Sequence, residues 1–457
     1  MSGLFGLLQM GKRSLVAHQF AQNIVGNNIS NAGIEGYTRQ TTQLGSGGSI
    51  ETPWGQIGMG VQVDGVMRSR DALIDKMYRD SSGSLGDWET KSFSMQNVEA
   101  MFTESDNDGI GARMDSFFNS WQDLANAPES SQARLALREQ AQGLVDTFHR
   151  ISNLLTSERQ SINTQVVNVA DRINDISSRI ASLNERLPGK VKLALKQEND
   201  ALDERDRLLD ELSDLVDIKV IGRDEGGIAV YIGSINLIEG PHANKLSIEQ
   251  ESNGKLSISK LYDPGGNELK LNNGRLKGLL ELRDVQLKKY EDRLNTLSRT
   301  LVKEVNSYHK AGYTLEGETD IDFFDAAFID ADSINLSEDV LENPDKIAAA
   351  SIDADGDNGQ ALLISALKDA PLVDGDGMRE FYNTLITEVG VDSRFAIDSE
   401  ETYGVLQNQA ALQREGVSGV SLDEEMVDMI KYEQAYRAAA RMVTTVDSMI
   451  ETILSLK

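Results

Sequence analysis

Apolar residues recur along this chain with two different periods, and each period keeps to its own part of the sequence. Near the C-terminus Tyr432, Tyr436, Ala439, Val443, Val446, Ile450 and Ile453 step alternately by four and three. A seam with a period of about 3.5 residues marks a helix laid along other helices. Leu4, Leu8, Gly11, Leu15, Val25 and Ile29 hold a similar register near the N-terminus, where His18 and Gln22 interrupt it. The strongest series lies within residues 129–187: Ile162, Val166, Val169, Ile173, Ile176, Ile180, Leu183 and Leu187, with Pro188-Gly189 as the predicted stop. Leu195, Leu202, Leu209, Leu212 and Val216 predict a second helix. Leu276, Leu280, Leu287, Tyr290, Leu294, Leu297 and Leu301 predict a third, over about 276–310. Residues 378–424 are helical again, with Phe381, Leu385 and Val389 on one face and Leu406 and Leu412 resuming the pattern.

Residues 217–275 change to a period of two. Ile228, Val230 and Ile232 alternate, as do Leu246 with Ile248, Leu256 with Ile258, and Leu269 with Leu271. Gly226-Gly227, Gly240-Pro241, Asn253-Gly254 and Pro264-Gly265-Gly266 punctuate them, which predicts a small β-rich insertion with hairpin turns. Ile57 to Val66 also alternates, around Gly58 and Gly60, and is expected to wrap along the rod. Asp320 to Asp357 is strongly acidic.

The resulting fold class is mainly α, elongated and multi-domain. Paired terminal helices form a coiled coil, a long helical bundle forms a rod, and a small β-rich domain is inserted. The expected division is residues 1–40 with 421–457 as the terminal helical core, 41–216 with 276–420 as the rod with its extended segments, and 217–275 as the β-rich outer domain. The rod seams read as the internal core of one chain. The terminal seam does not: fixing each backbone residue costs about 1–2 kcal/mol, and one apolar stripe does not offset that along a whole helix. Such a helix frays alone and folds when a partner supplies the facing surface.

Composition narrows the function. The net charge of −28 argues against nucleic acid, whose phosphates an acidic surface repels. There are no cysteines, so disulfide and thiolate chemistry are excluded. Leu4-Phe5-Gly6-Leu7-Leu8 is too short for a secretory apolar core, and Lys12-Arg13 follows it instead of preceding it. No run approaches the roughly 18 apolar residues that suggest a membrane span, so membrane insertion is not expected.

No catalytic, cofactor or metal constellation emerges. His18, His149, His242 and His309 fall in separate segments, none with metal-ligand spacing. Lys190 and Lys255 follow glycines but lack the rest of a phosphate loop. Asp353-Ala354-Asp355-Gly356-Asp357-Asn358-Gly359 alternates carboxylates, yet Asn358 and Ile364 stand where a calcium-binding loop needs Gly and Glu. That stretch, Asp106-Asn107-Asp108-Gly109 and Asp374-Gly375-Asp376-Gly377 read better as helix-capping turns.

Two strings carry a resemblance. Asn27-Asn28-Ile29-Ser30-Asn31 is followed by Gly36-Tyr37-Thr38-Arg39-Gln40, with Gly36 suited to a sharp helix exit. Ser418-Gly419-Val420-Ser421-Leu422-Asp423-Glu424-Glu425-Met426-Val427 opens the C-terminal helix, with Ser421 and Glu424 spaced as a capping box. These strings resemble the flagellar axial family of rod, hook and hook-associated proteins, although Ile34-Glu35 stands where the family often has Thr-Pro. The Tyr37-Thr38-Arg39-Gln40 ending is closer to the hook-associated members. Supporting matches lie at Gly60-Val61-Gln62-Val63 with Val66, Arg68 and Asp71, and at Asp123-Leu124-Ala125-Asn126-Ala127-Pro128. Others lie at Gly274 to Leu280 with Arg283-Asp284, and at His309-Lys310-Ala311-Gly312-Tyr313.

The resemblance implies a structural subunit of the flagellum at the hook–filament junction, not an enzyme. It implies export through the flagellar type III apparatus without a cleaved signal, to an extracellular location. Its implied partners are copies of itself, neighbouring hook subunits, a second junction subunit (hook-associated protein 3 type) and an export chaperone at the C-terminal helix. The candidate assembly residues are Leu4, Leu8, Leu15, Val25, Asn27, Asn28, Ile29, Tyr37 and Arg39 at one end. At the other they are Leu422, Met426, Met429, Tyr432, Tyr436, Val443, Val446, Ile450 and Ile453. Competing readings are another axial subunit of rod, hook or filament type, a calcium-binding extracellular adhesin, and a cell-wall glycan hydrolase with paired carboxylates.

Overall fold

A computed structural model describes residues 2–52, 55–102, 109–187, 197–223, 227–252, 257–354, 356–373 and 375–455. The predicted stop at Pro188-Gly189, the helix residue Leu195, Lys190, Lys255, Leu256, and the turn residues Gly226, Asn253 and Gly254 lie outside the described residues. So do Asp106 to Asp108, Asp355 and Asp374 of the acidic loops.

The chain begins with α1 (Ser2–Asn31), then β1 (Gln40–Ser46), β2 (Ser49–Thr52), β3 (Gly55–Gly58) and β4 (Val61–Arg68). Four long helices follow: α2 (Ala72–Phe102), α3 (Ile110–Asn126), α4 (Ser131–Arg186) and α5 (Gln197–Leu215). Next come β5 (Lys219–Gly222), β6 (Ile228–Ile232), β7 (Ile235–Glu239), β8 (His242–Ala243), β9 (Ser247–Ser252) and β10 (Ser257–Tyr262). The chain closes with α6 (Arg275–Glu281), α7 (Leu287–Ala311), α8 (Glu338–Glu342), α9 (Gly359–Ala366), α10 (Met378–Ser418) and α11 (Leu422–Ser455).

The 56-residue α4 is the spine. Ser130 caps it, its hydroxyl accepting from the Ala133 amide at 3.3 Å. Ile162, Val166, Ile173, Ile176 and Ile180 are fully buried, as their spacing predicts. The predicted third helix is two helices joined by a π turn at Leu282–Gln286. Within that turn Arg283 is buried and donates to Asn163 Oδ1 (2.7 Å) and the Ser259 carbonyl (2.8 Å).

The β insertion forms as a four-stranded antiparallel sheet, β5-β6-β7-β8, and a separate β9-β10 hairpin. Amides on α4 hold both. Asn174 donates to the Leu246 carbonyl (3.0 Å) and accepts from its amide (2.8 Å), pairing as a strand neighbour does. Asn184 serves Gly240 and Ile228, and Asn163 accepts from Ser259.

Three features differ from the sequence expectation. The first is α2, which its apolar pattern does not announce. Its buried positions include Ser82, Gly83, Gly86, Asp87, Thr90 and Ser94. Small residues let backbones approach: a Cβ at Gly86 would lie 2.6 Å from the Asp214 carbonyl oxygen of α5. The second is the extended segment. β4 pairs with β1 as a bulged ribbon along α1, with Arg13 donating to the Gly47 carbonyl (3.0 Å) and Gly60 beside Met10. It wraps the terminal helix, not the rod. The third is Leu406 and Leu412, which are exposed and do not continue the buried face of Phe381, Leu385 and Val389.

The acidic stretch also contributes core. Phe323 and Phe324 pack with Phe117, Trp121 and His309, and Asn306 binds the backbone of both phenylalanines.

Candidate assembly site at the terminal helix pair

α1 and α11 run antiparallel. Gly11 faces Val443, His18 lies against Tyr432 with ring centroids 6.2 Å apart, and Asn28 meets Glu425. The buried side of α1 includes Gly11, Ala17, Ala21, Ile24, Val25 and Asn28. Much of that face is small or polar, which is why the apolar register breaks at His18 and Gln22. Burial lowers the His18 pKa.

Among the named candidates, Val25 and Val446 are buried. Leu4, Leu8, Leu15, Ile29, Met429, Tyr432, Tyr436, Val443 and Ile450 are half-buried. Leu422, Met426 and Ile453 are exposed in the single chain.

The two terminal strings meet where this pair joins the rod. Gly36, at φ +80°, turns the chain out of α1 in a conformation that favours glycine. That turn brings Tyr37, Arg39 and Gln40 back onto Asn28. Asn28 Oδ1 accepts from the Tyr37 hydroxyl (2.8 Å) and the Gln40 amide (3.0 Å). Its Nδ2 donates to the Gln40 carbonyl (2.8 Å) and Glu425 Oε2 (2.9 Å). Asn27 Nδ2 donates to the Tyr37 hydroxyl at 3.3 Å. Arg39 donates from Nε to Glu425 (2.7 Å) and from a terminal nitrogen to Glu424 (2.7 Å), while its amide donates to the Ser418 carbonyl (2.9 Å). One loop thus binds α1, the end of α10 and the start of α11.

The capping box is only half realised. The Glu424 amide reaches Ser421 Oγ at 3.5 Å, and the Glu424 carboxylate is engaged with Arg39. Burial, with Asp203, Asp200 and Glu425 nearby, pushes the Tyr37 phenol up to about 12. Burial opposes the charge on Arg39, but Glu425 and Glu424 outweigh it and raise its pKa.

A second layer was not foreseen. Asp203, Asp206 and Asp210 lie three and four residues apart on one face of α5. Arg68 binds Asp203 (2.7 Å) and Asp206 (2.8 Å), and Arg79 binds Asp206 (3.3 Å) and Asp210 (2.7 Å). Arg414 of α10 binds Asp210 at 2.6 Å. Burial alone would raise the Asp206 pKa; Arg70, Arg68 and Arg79 instead hold it below its usual 3.8. The acid spacing was visible in the sequence, but the arginines come from four other stretches of the chain: β4, the link after it, α2 and α10.

These bonds fix how the pair leaves the rod. Among the described residues no cluster of His, Asp or Glu is disposed to hold a metal ion. In the acidic loop Asp357 accepts from the Ser351 hydroxyl (2.7 Å) and the Ile352 amide (3.1 Å), as a turn-capping carboxylate does. No helix among the described residues is long and apolar enough to cross a membrane.

Comparison with known proteins gives consistent matches. Residues 95–324 match the family model described as the flagellar hook-associated protein FlgK helical domain. Residues 415–456 match that of the flagellar basal body rod FlgEFG protein C-terminal region. The chain is 30% identical to flagellar hook-associated protein 1 of Bacillus subtilis, over 100% of this chain and 99% of that protein. It is 26% identical to flagellar hook-associated protein 1 of Escherichia coli, over 99% of this chain and 100% of that protein. The solved structure of the flagellar hook junction protein FlgK from Burkholderia pseudomallei has the same fold, with a TM-score of 0.67 at 15% identity. That match covers 75% of this chain and 100% of the other.

Proposed function

The chain belongs to the flagellar hook-associated protein 1 family, and from that premise we propose that it is the structural subunit forming the junction between hook and filament. The observation that carries the reading is the terminal pair, whose apolar surface stays half-covered in one chain. Met426 is 58% and Val427 65% exposed, although both lie on a long regular helix. A lone pair with so much open apolar surface gains most of its stability from neighbours. Assembly is then coupled folding and binding, compatible with passage of an unfolded chain through a narrow export apparatus.

In this reading residues 1–40 and 421–457 form the axial core, 41–216 with 276–420 the rod, and 217–275 the outward domain. The candidate seam residues contact neighbouring copies, hook subunits and a second junction subunit. An export chaperone shields the C-terminal helix before assembly. In this reading the protein is extracellular and performs no catalysis.

Replacing Val443 with Asp places a charge in the seam against Gly11. Cells carrying only that variant should export the protein yet fail to attach filaments to hooks. Attached filaments at normal number, counted by electron microscopy, would reject the reading.

A further inference from the structure

The outward faces of the two terminal helices differ in chemistry. On α1, Phe5, Lys12 and Val16 share one exposed side, and Phe5 and Val16 are each 58% exposed. The spacings of seven and four between them place all three on one side of the helix. Arg13 is exposed beside them, and α1 carries no acidic side chain at all. On α11, the exposed first turns hold Leu422, Met426, Val427 and Ile430. Asp423 and Glu424 are exposed among them, Glu424 already paired with Arg39 of its own chain, and no basic residue precedes Lys431 in that helix. One face is therefore apolar and cationic, the other apolar and anionic.

They cannot meet within one chain. Gly11 packs level with Ala439 and Val443, so Lys12 lies at that level of α11 and far along the axis from Asp423. From Met426 to Arg441 the helix rises about 22 Å. We infer that these faces bind each other between copies of this chain: the Phe5–Val16 face of one copy seats on the Leu422–Ile430 face of the next, offset by about 22 Å along the helix axis. Such a contact is heterologous, joining two different surfaces, and it repeats from copy to copy without a two-fold axis. For a chain of net charge −28, it also puts a cationic patch where copies would otherwise repel.

This inference rests on the junction reading but can fail separately. The native chain has no cysteine, so a Val16→Cys, Met426→Cys double variant carries the only thiols. Oxidation of assembled junctions should yield a ladder of covalent oligomers, with no covalent species from either single variant. Assembled junctions without a bond between the two introduced thiols, or covalent dimers from a single variant, would overturn the pairing.

A charge test accompanies it. Lys12→Glu should lower incorporation at least about tenfold, and adding Asp423→Lys should recover most of it. If Lys12→Glu leaves incorporation unchanged and instead removes binding to vesicles containing phosphatidylglycerol, the α1 face serves a membrane and the inference is wrong. Failure of the unmodified protein to enter junctions would overturn the junction reading itself, and this pairing with it.

Discussion

In α4, Ile162, Val166, Ile173, Ile176 and Ile180 are spaced by the same alternation as the apolar residues of α11, and all five are fully buried. In α11, Ala439 and Val446 are buried, while Tyr432, Tyr436, Val443 and Ile450 are half-buried and Ile453 is exposed. The spacing is shared; the number of neighbours is not. α4 is surrounded by α3, α5, α7 and the β insertion, whereas α11 has α1 on one side. A 3.5-residue period therefore identifies a helix that packs on helices, without saying whether those helices belong to the same chain.

The contrast can be broken most sharply at the joint. Glu425 is 1% exposed and shares its carboxylate between Arg39 and Asn28. Arg39→Ala leaves that buried charge without its cation, at a cost of about 3–5 kcal/mol. The loss should fall on docking of the pair, so proteolysis near residues 31–40 and 418–422 should accelerate while the rod keeps its unfolding midpoint. A matching drop in rod stability would mean that the two regions unfold as one.

Next in size is a paired comparison. Ile176→Ala should lower rod stability by about 2–5 kcal/mol in urea unfolding of the monomer. Val446→Ala should change that same transition by less than about 0.5 kcal/mol. Equal effects would remove the distinction between a self-sufficient rod and a dependent pair.

The smallest effect separates the regions by pH. His309 is fully buried, its Nδ1 donating to the Ile321 carbonyl (2.7 Å) while Nε2 accepts from the Ala348 amide (2.9 Å). Burial lowers its pKa to about 4, against 6.5 for the free side chain. Between those values the unfolded chain binds a proton that the folded chain refuses. Rod stability should therefore fall as pH drops from 6.5 to 4, by up to about 3 kcal/mol. At the joint the sign is the same but the window lower. Asp206 titrates below 3.8 in the folded chain, so its contribution persists above that value and is lost as pH falls beneath it. Urea midpoints for the rod and proteolysis rates at the joint, followed across pH 3–7, measure the two windows.

Much of the fold could be read before the structure, because α4, α7 and α11 advertise themselves with long aliphatic runs. The β insertion did so through alternation and its turns. α2 could not be read that way, since Ser82, Gly83, Gly86 and Thr90 pack by being small and leave no apolar period. The candidate site was half legible. Asn28, Tyr37 and Arg39 were singled out by their motif, and the structure joins them. Glu425 stands in the second string but not among the candidate assembly residues, because its burial depends on a turn at Gly36 that brings distant residues together. The Asp203–Asp206–Asp210 face is legible only after its arginines are known to converge from β4, α2, the chain between them and α10.

The central claim is that the rod folds alone and the terminal pair is completed by neighbours. Hydrogen exchange by mass spectrometry, on the purified monomer and on assembled junctions, measures it directly. The account predicts slow exchange across residues 131–186 in both states. Residues 2–31 and 422–455 should exchange fast in the monomer and become protected in the assembly. Terminal helices as protected as α4 in a verified monomer would contradict it.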